Sequence, residues 1–127
     1  MTRPERPLIL VVEDDSDIRE SVVEVLEDEG YRVLAAADGR QALLVLEGLP
    51  EPPALILLDL MMPIMNGFQF REEQLKIPAL AGVPVVVVTA DVNAKNKADQ
   101  LRAAAFVQKP LKIQTLLDII ESHVARA

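Results

Sequence analysis

The chain reads as an α/β protein: a doubly wound, five-stranded parallel sheet of order 2-1-3-4-5 with five helices spread over its two faces. Short apolar runs alternate along it with longer amphipathic ones, the mark of βα units around a parallel sheet. Leu8 to Val12, Ala54 to Leu58 and Val85 to Val88 are unbroken apolar runs, as expected of strands covered by helices on both sides. Tyr31 to Ala36 carries Arg32, and Phe106 to Gln108 is short with a polar last residue, so the second and fifth strands belong at the edges.

Taken in order, strand one runs into Glu13-Asp14-Asp15 and a first helix. Ser16 is placed to cap that helix, Ile18, Val22, Val25 and Leu26 share a face, and Gly30 is suited to end it. After strand two, Asp38 with Gln41 three residues on resembles a capping box for a helix that turns Ala42, Leu43 and Leu46 inward and ends near Gly48. Strand three leads to a helix over Gly67 to Lys76 and then to the turn-rich Pro78 to Pro84. The fourth helix, about Val92 to Ala104, is the weakest amphipath, because Asn93, Lys95, Asn96, Lys97, Asp99 and Gln100 outnumber its apolar positions. It should be the most solvated element and the easiest to shift. The last helix carries Ile113, Leu116, Leu117, Ile120 and Val124 at helical spacing.

Composition narrows the function. With 127 residues the chain suits one domain, residues 1–127 with a core over about 7–124, and is too short for two ordinary ones. A formal net charge of -7 opposes the phosphate backbone, so no direct nucleic-acid binding is expected. The absence of cysteine excludes disulfides and thiolate metal sites. No apolar stretch approaches the roughly 20 residues needed to cross a bilayer, and the start from Thr2 to Pro7 lacks a signal-peptide core, so no membrane association and a cytoplasmic location are expected.

Four strands end in polar residues at one mouth: Glu13-Asp14-Asp15, Asp59, Thr89 and Lys109-Pro110. Carboxylates, a hydroxyl and an amine together suit a divalent cation and a phosphoryl group. In the 2-1-3-4-5 order, strands one and three flank the point where the winding reverses, which brings Asp14 and Asp59 together. Two carboxylates about 4 Å apart repel by roughly 1 kcal/mol in water and about 4 kcal/mol at a surface-like dielectric. A hard cation with oxygen ligands relieves that repulsion, and Mg2+ is expected because it keeps several waters and takes few carboxylates. Taken singly, each feature has an ordinary reading: acids at a helix start, a turn cap at Asp59, a strand-end hydroxyl at Thr89, a surface lysine at Lys109. Met61, Met62 and Met65 read as loop packing, and His123 as an exposed side chain. Only the four strand ends together favour a site.

Those residues also carry a resemblance. Leu10-Val11-Val12-Glu13-Asp14-Asp15, Leu58-Asp59-Leu60-Met61-Met62-Pro63 with Asn66-Gly67, Val88-Thr89-Ala90 and Lys109-Pro110 resemble, in order and spacing, the receiver domains of two-component response regulators, whose fold is flavodoxin-like (CheY-like). The likeness spans about Pro7 to Val124. It implies Asp59 as the phosphoacceptor from a phosphohistidine on a sensor histidine kinase or phosphotransfer protein. It further implies Asp14 and Asp59 as metal ligands, Glu13 reaching the metal through water, and Met61 giving its backbone carbonyl. Lys109 would pair with Asp59, and the Lys109-Pro110 bond would be cis. Such a protein is a switch, not an enzyme with substrate turnover. The resemblance implies that Thr89 and the aromatic at Phe106 couple the phosphoryl group to the face made by the fourth helix, fifth strand and last helix.

Some positions depart from the family's pattern. Phe106 stands where tyrosine is commoner and lacks the phenolic hydrogen bond. Leu101-Arg102-Ala103-Ala104-Ala105 replaces the common Gly-Ala-Asp type of sequence, which predicts a more helical loop. Met61 and Asp91 occupy the positions two beyond Asp59 and Thr89 that tend to set dephosphorylation rate. The pattern of regulators that dimerise through the last helices is absent. Two rival readings remain: a receiver-like protein-interaction module working without phosphorylation, and a haloacid-dehalogenase-type phosphatase, which wants a second acid where Met61 stands. Acids instead of a glycine-rich loop after strand one disfavour a nucleotide or flavin site. The chain ends soon after the last helix, so its output is either a downstream protein or an output domain missing from this sequence.

Overall fold

The computed structural model describes residues 6–124; Thr2 to Glu5 of the start discussed above, and the last three residues, lie outside the described residues. Five parallel strands, β1 (Leu8–Val12), β2 (Arg32–Ala36), β3 (Leu55–Asp59), β4 (Val85–Thr89) and β5 (Ala105–Gln108), form one sheet in the order β2-β1-β3-β4-β5. The helices are α1 (Ser16–Asp28), α2 (Gly39–Glu47), α3 (Gly67–Leu75), α4 (Pro78–Ala81), α5 (Ala94–Gln100) and α6 (Ile113–His123).

Alternation along the central strands divides the core into two layers. Ile9, Val11, Leu55, Leu57, Val86 and Val88 face Val22 and Leu26 of α1 and Leu116 and Ile120 of α6. Leu10, Val12, Ile56, Leu58, Val85 and Val87 face Ala42 and Leu46 of α2, Phe70 of α3, Leu80 of α4 and Ala98 of α5. β3 and β4 are buried at every position, whereas β2 and β5 each carry exposed residues and only one buried position, as suits edge strands.

The structure corrects several sequence expectations. Among the described residues there are six helices, because Pro78–Ala81 forms one short turn with proline at its start, a position where the missing N–H costs nothing. Asp15, not Ser16, caps α1, its side chain accepting from the amides of Asp17 and Ile18 at 2.9 and 3.0 Å. Asp38 does cap α2, but the Gln41 side chain accepts from the Ala37 amide instead of closing the box. A full capping box forms between Asn66 and Gln69 at the start of α3. Ile113 stays 43% exposed and does not join the core.

The expected helix over Val92 to Ala104 shortens to Ala94–Gln100, and the segment before β5 is not more helical. Arg102, at φ 55, turns the chain out of the helix in the left-handed region, which costs a side-chain-bearing residue roughly 1–2 kcal/mol. Arg102→Gly is therefore expected to stabilise the fold by about 1 kcal/mol in urea unfolding, the strain relieved slightly exceeding glycine's extra chain entropy. An unchanged or lowered midpoint would show that the turn is unstrained.

Candidate functional site

Strand register brings the site together. Val12 pairs with Leu58, so the next residues on each strand, Glu13 and Asp59, lie side by side. Asp59 pairs with Val88, and Thr89 with Gln108, which sets Thr89 and Lys109 one step farther along the same edge. One carboxylate oxygen each from Glu13, Asp14 and Asp59 lie within 4.8 Å of one another. Glu13 and Asp59 are each only 4% exposed and Thr89 2%, while Asp14 opens to solvent.

Lys109 is the cation in this cluster. Its Nζ lies 3.6 Å from Asp59 Oδ2, the pairing expected, and closer still, 3.0 Å, to Glu13 Oε1. The Lys109–Pro110 bond is cis, as the resemblance implied, and the Lys109 amide donates to the Thr89 carbonyl at 2.7 Å. Burial pulls the Lys109 ammonium down, but Glu13, Asp59 and Asp14 more than offset it and hold the group above the ordinary lysine range. The Asp59 carboxyl is pushed up to about 7, first by burial and then by a hydrogen bond and like charge from Glu13, against Lys109 and the Met61 amide. That amide reaches Asp59 Oδ1 at 3.3 Å.

Backbone details hold the acids in place. Asp15 donates its amide to Glu13 Oε2 at 3.1 Å, and Arg19, which the sequence reading passed over, donates to the Glu13 carbonyl at 2.8 Å. Its place one turn into α1, behind the acidic stretch, was the available signal. A Cβ on Gly67 would meet the Asp59 carbonyl oxygen at 2.7 Å, so only glycine lets α3 start this close behind Asp59. The Thr89 hydroxyl accepts from the Asp91 amide at 3.2 Å. Met61 is 75% exposed and so is not loop packing, whereas Met62 is buried and Met65 packs against the core. Phe106 on the edge strand is 37% exposed.

The donor set suits a hard divalent cation: three carboxylates, no soft ligand, and one solvent-facing acid where bound water could remain. The cluster, with Lys109 beside it, sits at the strand ends of the doubly wound sheet where β1 and β3 flank the reversal of winding. The family model for the response regulator receiver domain matches residues 9–121. The chain belongs to that family, the receiving component of two-component signalling.

It is 35% identical over 123 residues to the DNA-binding response regulator MtrA of Mycobacterium leprae, covering 95% of this chain and 52% of that protein. It is likewise 35% identical over 120 residues to response regulator RR06 of Streptococcus pneumoniae, covering 93% and 53%. The chain thus spans about half the length of these relatives. Chemotaxis response regulator CheY4 of Vibrio cholerae superposes with a TM-score of 0.86 at 29% identity, covering 94% of this chain and 100% of that one. The expected flavodoxin-like (CheY-like) fold and strand order hold. Among the described residues no helix is long and apolar enough to cross a membrane.

Proposed function

We propose that this chain is a receiver domain acting as a phosphorylation-dependent switch, in which Asp59 takes a phosphoryl group from a phosphohistidine of a sensor histidine kinase or phosphotransfer protein. The observation that carries this reading is the meeting of Glu13, Asp14 and Asp59 within 4.8 Å beside the Lys109 amine. An ionised Asp59 oxygen forms the new P–O bond as the P–N bond to the donor histidine breaks, and the electron pair stays on the imidazole. Charge on the three equatorial oxygens must be met by fixed positive charge and donors. Lys109 supplies one such charge, and Thr89 supplies a donor once its hydroxyl turns toward the group. Asp14, Asp59 and the Met61 backbone carbonyl would hold Mg2+, with Glu13 reaching it through water, and the ion would supply the remaining charge neutralisation.

An open recess of ≈ 380 Å³ begins at Lys109 and runs along α1 over Ile18, Val22, Pro110, Leu111 and Ile113. Its apolar lining next to the acceptor suits a helical phosphodonor. Phosphorylation would draw in Thr89 and Phe106 and alter the α5–β5–α6 face, read by a downstream protein or by an output domain; the relative MtrA is a DNA-binding response regulator. A cytoplasmic setting and no direct nucleic-acid contact by this chain belong to the same reading.

Incubation with acetyl phosphate and Mg2+, followed by intact-mass measurement, should give one added phosphoryl group on the native chain and none on Asp59→Asn. Absence of the adduct would favour the interaction module, and continued turnover of a small phosphate ester would favour the phosphatase. Apolar Met61 beside Asp59 should hinder an in-line water, so Met61→Asn is expected to shorten the phosphorylated lifetime roughly tenfold. Loss of phosphate no faster than in the native chain would remove that role for Met61.

A further inference from the structure

Arg71 lies in α3, away from the acidic site, and is only 7% exposed, with two carbonyls and an amide oxygen, and among the described residues no carboxylate, as its hydrogen-bond acceptors. Its Nε donates to the Leu101 carbonyl at 2.9 Å, its Nη2 to the Arg102 carbonyl at 3.0 Å, and its Nη1 to Gln74 Oε1 at 2.8 Å. Gln74, fully buried, passes the connection on through its amide to the carbonyls of Leu80 and Val83 at 2.9 and 3.1 Å. Bonds from a charged donor are about twice as strong as neutral ones, and the guanidinium fork fixes direction as well as distance. The left-handed Arg102 turn that closes α5 is thus strapped to α3 and to the approach to β4.

The other end of α5 is held differently. Asn93 makes no side-chain cap. Asp91, three residues before the helix, pairs with Lys97 from mid-helix at 3.6 Å, both side chains about a third exposed, and Lys97 sits 5.6 Å over the Phe68 ring. Partly exposed ion pairs of this kind contribute little. The Gln108 amide reaches the Asp91 carbonyl at 3.3 Å in solvent.

We propose that Arg71 is a positioning residue for the switch: it anchors the C-terminal end of α5, so that α5 swings about Leu101–Arg102 with its N-terminal end moving most. This rests on the reading that phosphorylation at Asp59 alters the α5 face. The movement is thereby largest from Thr89 to the middle of α5 at Lys97 and smallest at Leu101–Arg102, instead of being a uniform displacement of the whole helix.

Backbone NMR on the full chain tests it, with Mg2+ and beryllofluoride as the phosphoryl mimic. In the native chain the shift changes should be large over Thr89 to Lys97 and smaller by about threefold over Leu101 to Ala103. In Arg71→Met, and in Arg71→Lys, which keeps the charge but not the fork, the changes at Leu101 to Ala103 should rise to the size seen at Lys97. Hydrogen exchange without the mimic supplies an independent arm: the Arg102 and Ala103 amides should exchange about tenfold slower than the Lys97 amide in the native chain, a ratio that both variants lose. Native shift changes as large at Leu101–Ala103 as at Lys97, or an exchange ratio near one, overturn the proposal. If the variants do not fold, the native profile and ratio decide alone. If beryllofluoride moves nothing near Asp59, the phosphorylation reading fails, and the exchange ratio still decides whether this end of α5 is anchored.

Discussion

Replacing Lys109 by alanine is expected to slow phosphoryl uptake at Asp59 by about 100-fold or more, equivalent to about 3 kcal/mol of lost stabilisation where charge builds on the transferring group. The ammonium lies 3.0 Å from Glu13 and 3.6 Å from Asp59, so it already stands beside the oxygen that would take the phosphoryl group. Its loss has a second effect: two buried acids would face each other with no cation between them, and the proton Asp59 must shed before it can attack would be held more tightly. Lys109→Arg should recover only part of the rate, since the larger planar fork cannot sit where the compact ammonium sits. The check is the initial rate of acetyl-phosphate labelling at saturating Mg2+, followed by mass. A rate within threefold of the native one would show that the amine plays no part in the transfer.

The second large effect concerns pH and stability. Asp59 titrates at about 7 in the folded chain and near 3.9 when unfolded, by its reference value. Between these values the folded chain keeps a proton that the unfolded chain has lost. Its contribution to stability is therefore complete below the unfolded pKa and is lost as pH rises through about 7. A shift of this size corresponds to roughly 4 kcal/mol, of which roughly 2–3 kcal/mol falls between about pH 5 and pH 7. Metal-free protein should accordingly be less stable at about pH 8 than at about pH 5, and Asp59→Asn should remove that slope and be about 2 kcal/mol more stable at the higher pH. Mg2+ should stabilise the native chain more at the higher pH, because only deprotonated carboxylates bind it. Urea unfolding of both proteins at the two pH values decides this: a variant no more stable than the native chain at the higher pH would contradict the buried, proton-retaining state of Asp59.

What could be read from the sequence was whatever depends on local pattern plus topology. Unbroken apolar runs identified β1, β3 and β4, and Arg32 and Gln108 marked the edges. The winding order then placed Glu13, Asp14, Asp59, Thr89 and Lys109 at one mouth before any distance was known. Interactions that depend on a distant backbone were not legible. Arg71 sits in Phe70-Arg71-Glu72-Glu73-Gln74, which looks like a solvated helix face; its acceptors are carbonyls 30 and 31 positions away. The left-handed turns at Ile64 and Arg102 carry neither glycine nor asparagine, the usual signals for that conformation. The four residues of α4 are too few to show a helical period, although proline at its start was visible. The preference of Lys109 for Glu13 over Asp59 is a matter of tenths of an ångström that register alone does not fix.

The central claim is that one buried carboxylate, at position 59, accepts the phosphoryl group. An acyl phosphate, unlike a free carboxylate or a phosphate ester, is reduced by borohydride to an alcohol, so reduction of acetyl-phosphate-treated protein followed by peptide mapping locates the modified side chain directly. The account predicts a reduced side chain at Asp59 alone, dependent on Mg2+. Reduction at Asp14 or Glu13, or a labelled chain with Asp59 unchanged, would contradict it.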